Sequence, residues 1–257
     1  MKMFKLCTLP GYTCKLQLYS GKNDQMITTP TIVVMSLCDD ILNLDHAIAT
    51  DNWYTNLDLA NQLLNHDTHL IGTIRKNRRG LPMAVVKAKL EKGESIATEN
   101  QRGITVLKWK DKRDVLVLST KHSNGKRTVL KKGKAIKKQK IILAYNETKS
   151  SVDMSDQMTS YSSPLRKTVK WYKKLAIELF LNTSLVNAWI MYKENKNTSQ
   201  GIVQFRRQLV EYLVDSGVDK ENCEQQQERP KRMKHELLKR EGSVAKLFLR
   251  RLLERKC

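Results

Sequence analysis

Two places in this 257-residue chain hold carboxylates where a carboxylate can do chemistry. The first is Asp51. The stretch Asp45-His-Ala-Ile-Ala-Thr50 before it contains a short apolar run that reads as a buried strand, and Leu57, Leu59, Ala60, Leu63 and Leu64 after it recur at helical spacing. An Asp between a strand and a helix sits on the rim of a sheet, where open α/β sheets collect their ligands. There it can hold a hard cation such as Mg²⁺. The ordinary alternative is that it starts a turn or caps the next helix. The second place is Asp153 and Asp156, three residues apart. At a helix start both would share one face, and the ordinary alternative is that they favour the positive end of that helix.

The rest of the chain gives these carboxylates a strongly basic setting. Lys+Arg 47 against Asp+Glu 26 gives 47 − 26 = +21, which points to an anionic partner, nucleic acid first. A membrane partner is not expected: there is no signal peptide at Met1–Lys15, and the most apolar stretch, Leu175–Tyr192, is interrupted by Glu178, Asn182 and Asn187. Five widely spaced cysteines with no C-x-x-C suggest a reducing compartment and no complete zinc site.

The elements that must position the carboxylates follow in order. Met3–Leu6 and Tyr12–Tyr19 read as two strands joined at Leu9-Pro-Gly11, and Gly21–Pro30 as a loop. Thr31–Leu37 reads as a helix, with a strand as the alternative its β-branched content leaves open; then come the strand before Asp51, its helix, and a strand over Leu70–Arg75. This order suits an RNase H-like mixed α/β sheet. Residues 77–139 change texture: Met83–Val86, Ile104–Leu107 and Val115–Leu118 read as short strands of a β-rich basic insertion that ends in the lysine-dense 126–140. Lys140–Tyr145 reads as a strand returning to the core over 140–160. Residues 161–215 read as helical. Pro164–Lys174 is basic with an aromatic interleaved: Arg166, Lys167, Lys170, Lys173 and Lys174 could meet phosphates while Trp171 packs. Residues 216–257 form a basic tail expected to be largely disordered, with Pro230-Lys-Arg-Met-Lys234 as a weak nuclear-import pattern.

Four collinear blocks resemble the piggyBac transposase family. Asp51-Asn-Trp-Tyr-Thr55 resembles its D-N-[WFY]-[YF]-T, and Gly72-Thr-Ile-Arg-Lys-Asn-Arg-Arg-Gly-Leu-Pro82 its G-T-[IV]-R-x-N-[RK]-x-x-x-P. Lys108-Trp-Lys-Asp-Lys-Arg113 with Leu118-Ser-Thr-Lys-His122 resembles K-W-x-D-K-[KR]…L-S-T-x-H. Tyr145-Asn-Glu-Thr-Lys-Ser-Ser-Val-Asp-Met-Ser-Asp-Gln-Met158 resembles Y-N-x-x-M-G-G-V-D-x-x-D-Q-M, with Ser150 and Ser151 where the family has Gly-Gly.

The resemblance implies an RNase H-like fold and DNA strand cleavage and transfer by three aspartates and two Mg²⁺ ions, with the insertion between the second and third aspartate. Asp51 and Asp153 match the second and third of these, with Asp156 a nearby helper. The first belongs to a strand upstream of Met3, so the sheet is expected to lack its first strand unless another segment fills the gap, and the site to be incomplete. DNA is the implied partner, with Arg75, Arg78, Arg79, Lys131, Lys132, Arg166, Lys167, Lys170, Trp171, Lys173 and Lys174 as its contacts. A homodimer through the helical part and a nuclear location are implied too, with Mg²⁺ only if the site is completed. No zinc and no small-molecule cofactor are expected. The alternatives are part of an active transposase, or an RNA-binding or protein-interaction module.

Overall fold

The computed structural model describes residues 2–19, 29–131, 134–161, 163, 170–218 and 246–251. The chain divides into two compact units, Met1–Ser155 with Val244–Cys257, and Asp156–Ser243.

The first unit is built on an eight-stranded mixed sheet of order β2-β1-β10-β3-β4-β7-β6-β5. β1 (Lys2–Thr8) and β2 (Tyr12–Tyr19) form the expected hairpin. α1 (Pro30–Cys38) is a helix as its apolar run suggested, capped by Thr29, whose hydroxyl accepts from the Ile32 N–H. β3 (Ala47–Thr50) is buried along its whole length and runs parallel to β4 (His69–Thr73), with α2 (Leu57–Leu64) as the crossover between them. A strand buried on both faces needs an uninterrupted apolar run, and Ala-Ile-Ala supplies one. Beyond β4, β5 (Ser95–Glu99), β6 (Thr105–Lys110) and β7 (Asp114–Ser119) continue the same sheet, β7 pairing antiparallel with β4. Most of the segment read as a separate insertion is therefore the edge of the core sheet. Only β8 (Lys126–Lys131) and β9 (Lys134–Gln139) stand apart, as a two-stranded ribbon.

The period of two along each strand sorts the core into two layers. Ile48, Leu70, Val106, Leu116 and Leu118 face α1, α2 and a short helix α3 (Met83–Lys87), together with Val34, Leu59, Leu63 and Val85. Ile71, Leu107 and Val117 face the other way, onto Ile141, Ile142 and Ala144 of α4 (Lys140–Thr148). Ala49 and Cys7 meet Val152 of α5 (Ser151–Ser160).

Two expectations are corrected here. Lys140–Tyr145 and Met83–Val86 are helical, not strands. Buried Ile141, Ile142, Ala144 and Thr148 fall on one helical face, and a short apolar run does not by itself distinguish helix from strand.

A third concerns the missing strand and the tail. The slot between β1 and β3 is filled by β10 (Lys246–Arg251), antiparallel to β1 and parallel to β3. The tail read as disordered thus supplies a strand. Left empty, the slot would expose two rows of backbone N–H and C=O groups inside a sheet, each costing about 1–3 kcal/mol when buried. That is sufficient reason for a six-residue segment with an apolar centre to pair there. Residues 219–245 lie outside the described residues.

In the second unit, α6 (Trp171–Ala176), a π-helical stretch (Ile177–Thr183) and α7 (Ser184–Lys196) follow without a break, and α8 (Ile202–Val218) comes after. Tyr172–Lys196 is, by length and composition alone, long and apolar enough to cross a membrane. Its polar residues are nonetheless used inside the unit. Buried Asn182 donates to Ser163 and Glu178 and accepts from Arg206. Arg206 is itself buried, and desolvation lowers its pKa. Arg206 Nε and Nη2 are buried with no hydrogen-bond partner among the described residues, so this network is only partly satisfied.

Candidate functional site

The end of β3 delivers Asp51 to an open cleft of about 360 Å³, lined by Asp51, Asn52, Thr73, Tyr145, Lys149, Ser150 and Asp153. The two aspartates singled out by sequence, 102 positions apart, thus line one cleft. It lies at the carboxyl ends of the parallel strands β3 and β4, where α/β sheets place ligands.

The Asp51 side is tightly specified. Asp51 Oδ1 accepts the Trp53 N–H at 2.8 Å, so Asp51 does start a turn, but the cap of α2 is Asn56, whose Oδ1 accepts from Leu59 N–H. Thr55 Oγ1 lies 2.7 Å from the Asp51 carbonyl and 2.7 Å from Thr50 Oγ1. Arg78 donates to the Trp53 carbonyl and Arg75 to Asn52 Oδ1. Gly72 is required by this packing: a Cβ there would lie 2.3 Å from Thr55 Oγ1. Two arginines expected to contact DNA therefore hold the turn that presents Asp51. Arg79 is exposed.

The other side is the α4–α5 corner. Ser151 Oγ donates to the Thr148 carbonyl, and the Met154 N–H bonds to the Ser150 carbonyl as α5 begins. Asp153, in the first turn of α5, is exposed. Neither Ser150 nor Ser151 has positive φ, so serines stand here without left-handed strain. Beneath α5, fully buried Lys5 donates to Ser155 Oγ at 3.2 Å, and Thr13 Oγ1 lies 3.0 Å from the same hydroxyl. Asp156 begins the second unit, outside the residues that line the cleft.

Sequence reading missed Tyr145, Thr73 and Lys149 as cleft residues. The signal for Lys149 was present, because it stands where the quoted motif has Met.

A pair of Mg²⁺ ions needs several charged oxygens shared between the metals. Here two carboxylates line the cleft, one oxygen of Asp51 is engaged, and the basic residue Lys149 lines the same cleft. Among the described residues no three His, Cys, Asp or Glu side chains come together. β10, paired beside β3 with Leu249 opposite Thr50, reads Lys246-Leu-Phe-Leu-Arg-Arg251 and brings no carboxylate to the level of Asp51. The described residues do not by themselves fit a metal pair.

The remaining basic candidates are spread out. Lys131 lies in β8, and Lys132, Arg166 and Lys167 are outside the described residues. Lys170, Lys173 and Lys174 are exposed at the start of α6, whose first residue is Trp171. The third motif block is structural. Buried Lys108 donates to the carbonyls of Val86 and Ala88 and pairs with Asp114 at 3.2 Å. Ser119 Oγ accepts from the N–H groups of Lys121 and His122.

A mixed sheet with flanking helices, Asp51 at the carboxyl end of β3 and Asp153 in the first turn of α5 is consistent with an RNase H-like domain. The chain belongs to the family described as Transposase IS4, whose model matches residues 1–189. A solved structure to which it is similar is the cryo-EM structure of a piggyBac transposase synaptic complex with hairpin DNA. The TM-score is 0.71 and the identity 25%, over 88% of this chain and 48% of that one. This chain spans about half the length of the chain it matches.

Proposed function

We propose that this chain is a piggyBac-type transposase relative that binds DNA without cutting it. The observation that carries this is the cleft, lined by Asp51 and Asp153 together with Lys149 and, among the described residues, no third carboxylate. Strand transfer by this family of reactions draws its rate from metal-held charge on the attacking and leaving oxygens. An ammonium beside two carboxylates supplies one fixed positive charge and no open coordination position. DNA as the partner is supported by the charge of +21 and by the nature of the structural neighbour, a complex with hairpin DNA. The contacts we assign are the basic ribbon β8–β9 and the start of α6 at Lys170, Lys173 and Lys174. A nuclear location follows from a DNA partner. Self-association would use α8, where Val210, Tyr212, Leu213 and Val214 are exposed.

The test is to incubate purified chain with piggyBac-type end DNA in Mg²⁺ or Mn²⁺ and look for nicks with 3′-hydroxyl ends. None is expected. Nicking that disappears in Asp51→Ala and Asp153→Ala would overturn the reading and mean that a third ligand is supplied from elsewhere. One observation favours a second reading, an active enzyme assembled from more than this chain: the chain matches 48% of its structural neighbour. Adding the upstream segment of a longer gene product and recovering nicking in trans would establish it.

A further inference from the structure

We infer that the β8–β9 ribbon enters the major groove of B-form duplex DNA. This rests on the DNA-binding reading above and specifies where and how one contact is made. The segment from Lys126 to Lys140 holds eight Lys or Arg residues and no acidic one. Within it β8 and β9 form a two-stranded ribbon that, among the described residues, is paired in a sheet with no other strand. Its base is fixed: the Lys140 N–H bonds to the Gly125 carbonyl at 2.8 Å, and Gln139 Nε2 donates to Ser95 Oγ at 2.6 Å.

Three features of the register decide what the ribbon suits. First, Arg127 pairs directly with Lys138, and Lys131 with Lys134. Like charges opposite each other destabilise a hairpin, and two strands alone are marginal in water. The arrangement gains stability only when an anion meets it. Second, the charge is on both faces. Arg127 and Lys138 share one face, while the neighbouring rungs Lys126↔Gln139 and Thr128↔Lys137 put cations on the other. Lys126, Arg127 and Lys137 are exposed. A ribbon lying on a flat surface uses one face; a groove with phosphates on both walls uses two. Third, Leu130, one rung inside the Lys131↔Lys134 end of the ladder, is 76% exposed. An exposed apolar side chain on the ribbon suits the floor of a groove, where thymine methyl groups offer apolar contact.

The dimensions select the partner. The major groove of B-DNA is about 12 Å wide and about 8.5 Å deep, and it admits a two-stranded ribbon. In A-form RNA that groove is too narrow for side chains to read. The inference therefore separates double-stranded DNA from double-stranded RNA.

The experiment uses the full chain and fluorescence anisotropy with a short DNA duplex and an RNA duplex of the same sequence, across a salt series. The variants are Arg127→Gln with Lys138→Gln, and Lys126→Gln with Lys137→Gln. Each double substitution removes two cations from one face, so each should lower the log–log salt slope on DNA by about 1.8. Affinity for the RNA duplex should hardly change. DNA whose cytosines carry bulky C5 groups filling the major groove should bind wild type and variants alike. The charge-keeping pair Arg127→Lys with Lys138→Arg should bind as wild type, and melting temperatures of the Gln variants should be unchanged or raised. Unchanged slopes with DNA still bound overturn the ribbon and leave the DNA reading standing. Equal losses on RNA and DNA overturn the groove geometry. No DNA binding by the unaltered chain at low salt overturns both.

Discussion

The two walls of the cleft are built differently. On the Asp51 wall nearly every group is fixed by another: the turn by Trp53, Thr55 and Arg78, the strand beside it by Gly72, the adjoining sheet edge by Lys108 and Asp114. On the Asp153 wall the side chains that face the cleft, Lys149 and Asp153, stand exposed at a helix corner. The difference teaches what a motif match means. Asp51-Asn-Trp-Tyr-Thr55 and Gly72–Pro82 are held by the architecture, so their match reports on the fold before it reports on chemistry. Lys149, Ser150 and Ser151 are where the sequence departs from the quoted pattern; Lys149 is exposed, while Ser151 is buried with its hydroxyl on the Thr148 carbonyl.

The largest expected effect is on the fixed wall. Gly72→Ala puts a Cβ 2.3 Å from Thr55 Oγ1 and 2.6 Å from the Thr50 carbonyl oxygen. Backbone cannot yield as a flexible side chain would, so urea unfolding should show a loss of about 3 kcal/mol. A loss under about 1 kcal/mol would mean that the wall is less rigid than its contacts indicate. Lys108→Met comes next. It leaves the carbonyls of Val86 and Ala88 without their donor in a buried place, and about 2 kcal/mol should go. Asp51 itself separates role from charge. Asp51→Ala removes the acceptor for Trp53 N–H and should cost about 1 kcal/mol, whereas Asp51→Asn keeps an oxygen there and should be close to neutral. Equal losses for Ala and Asn would show that the carboxylate charge, not the turn, is what the wall needs.

Acid adds a smaller effect on the same wall. A hydrogen bond from Lys108 holds the Asp114 carboxyl below its ordinary range, against the opposing effect of desolvation, and the charges of Lys108 and Lys110 assist. The folded state thus binds this proton less readily than the unfolded chain. Its stabilisation is complete above the unfolded carboxylate range near pH 4 and is lost as pH falls through the lower folded value. Unfolding midpoints below pH 4 should therefore drop less steeply in Asp114→Asn than in the unaltered chain. Parallel curves would remove Asp114 from the account.

Sequence legibility follows the same division. The hairpin, α1, β3, α2 and β4 were readable because each carries its own periodicity and caps, and the aspartates because motifs flank them. α4 was not, since Ile141 and Ile142 are β-branched and five apolar residues fit either period. β10 was not, because nothing local in Lys246–Arg251 specifies a strand. What specifies it is the pair of unpaired edges on β1 and β3, more than 190 positions away in the chain. The departure from the motif at Lys149 was visible in the sequence, but not that it lines a cleft, because that cleft is assembled by β3, β4 and the α4–α5 corner together.

The smallest effect on stability is expected at Lys149, and it bears most directly on the cleft. Lys149 is exposed, and its backbone N–H already closes α4 on the Tyr145 carbonyl. Lys149→Met keeps that bond and most of the side-chain volume, so stability should stay within about 0.5 kcal/mol. Cation binding should not stay the same. The ammonium opposes any divalent ion that Asp51 and Asp153 attract, and in a water-filled cleft removing one such charge is worth about 1 kcal/mol, roughly fivefold in affinity. Mn²⁺ titration followed by electron paramagnetic resonance should thus show at most one weak site in the unaltered chain, tightened several-fold in Lys149→Met and lost in Asp51→Asn with Asp153→Asn. Charge, not a new ligand, would be responsible, so Lys149→Gln should match Lys149→Met. An unaltered chain that takes up two Mn²⁺ ions would show that the lysine does not stand in for metal charge, and that a third ligand reaches the cleft from outside the described residues.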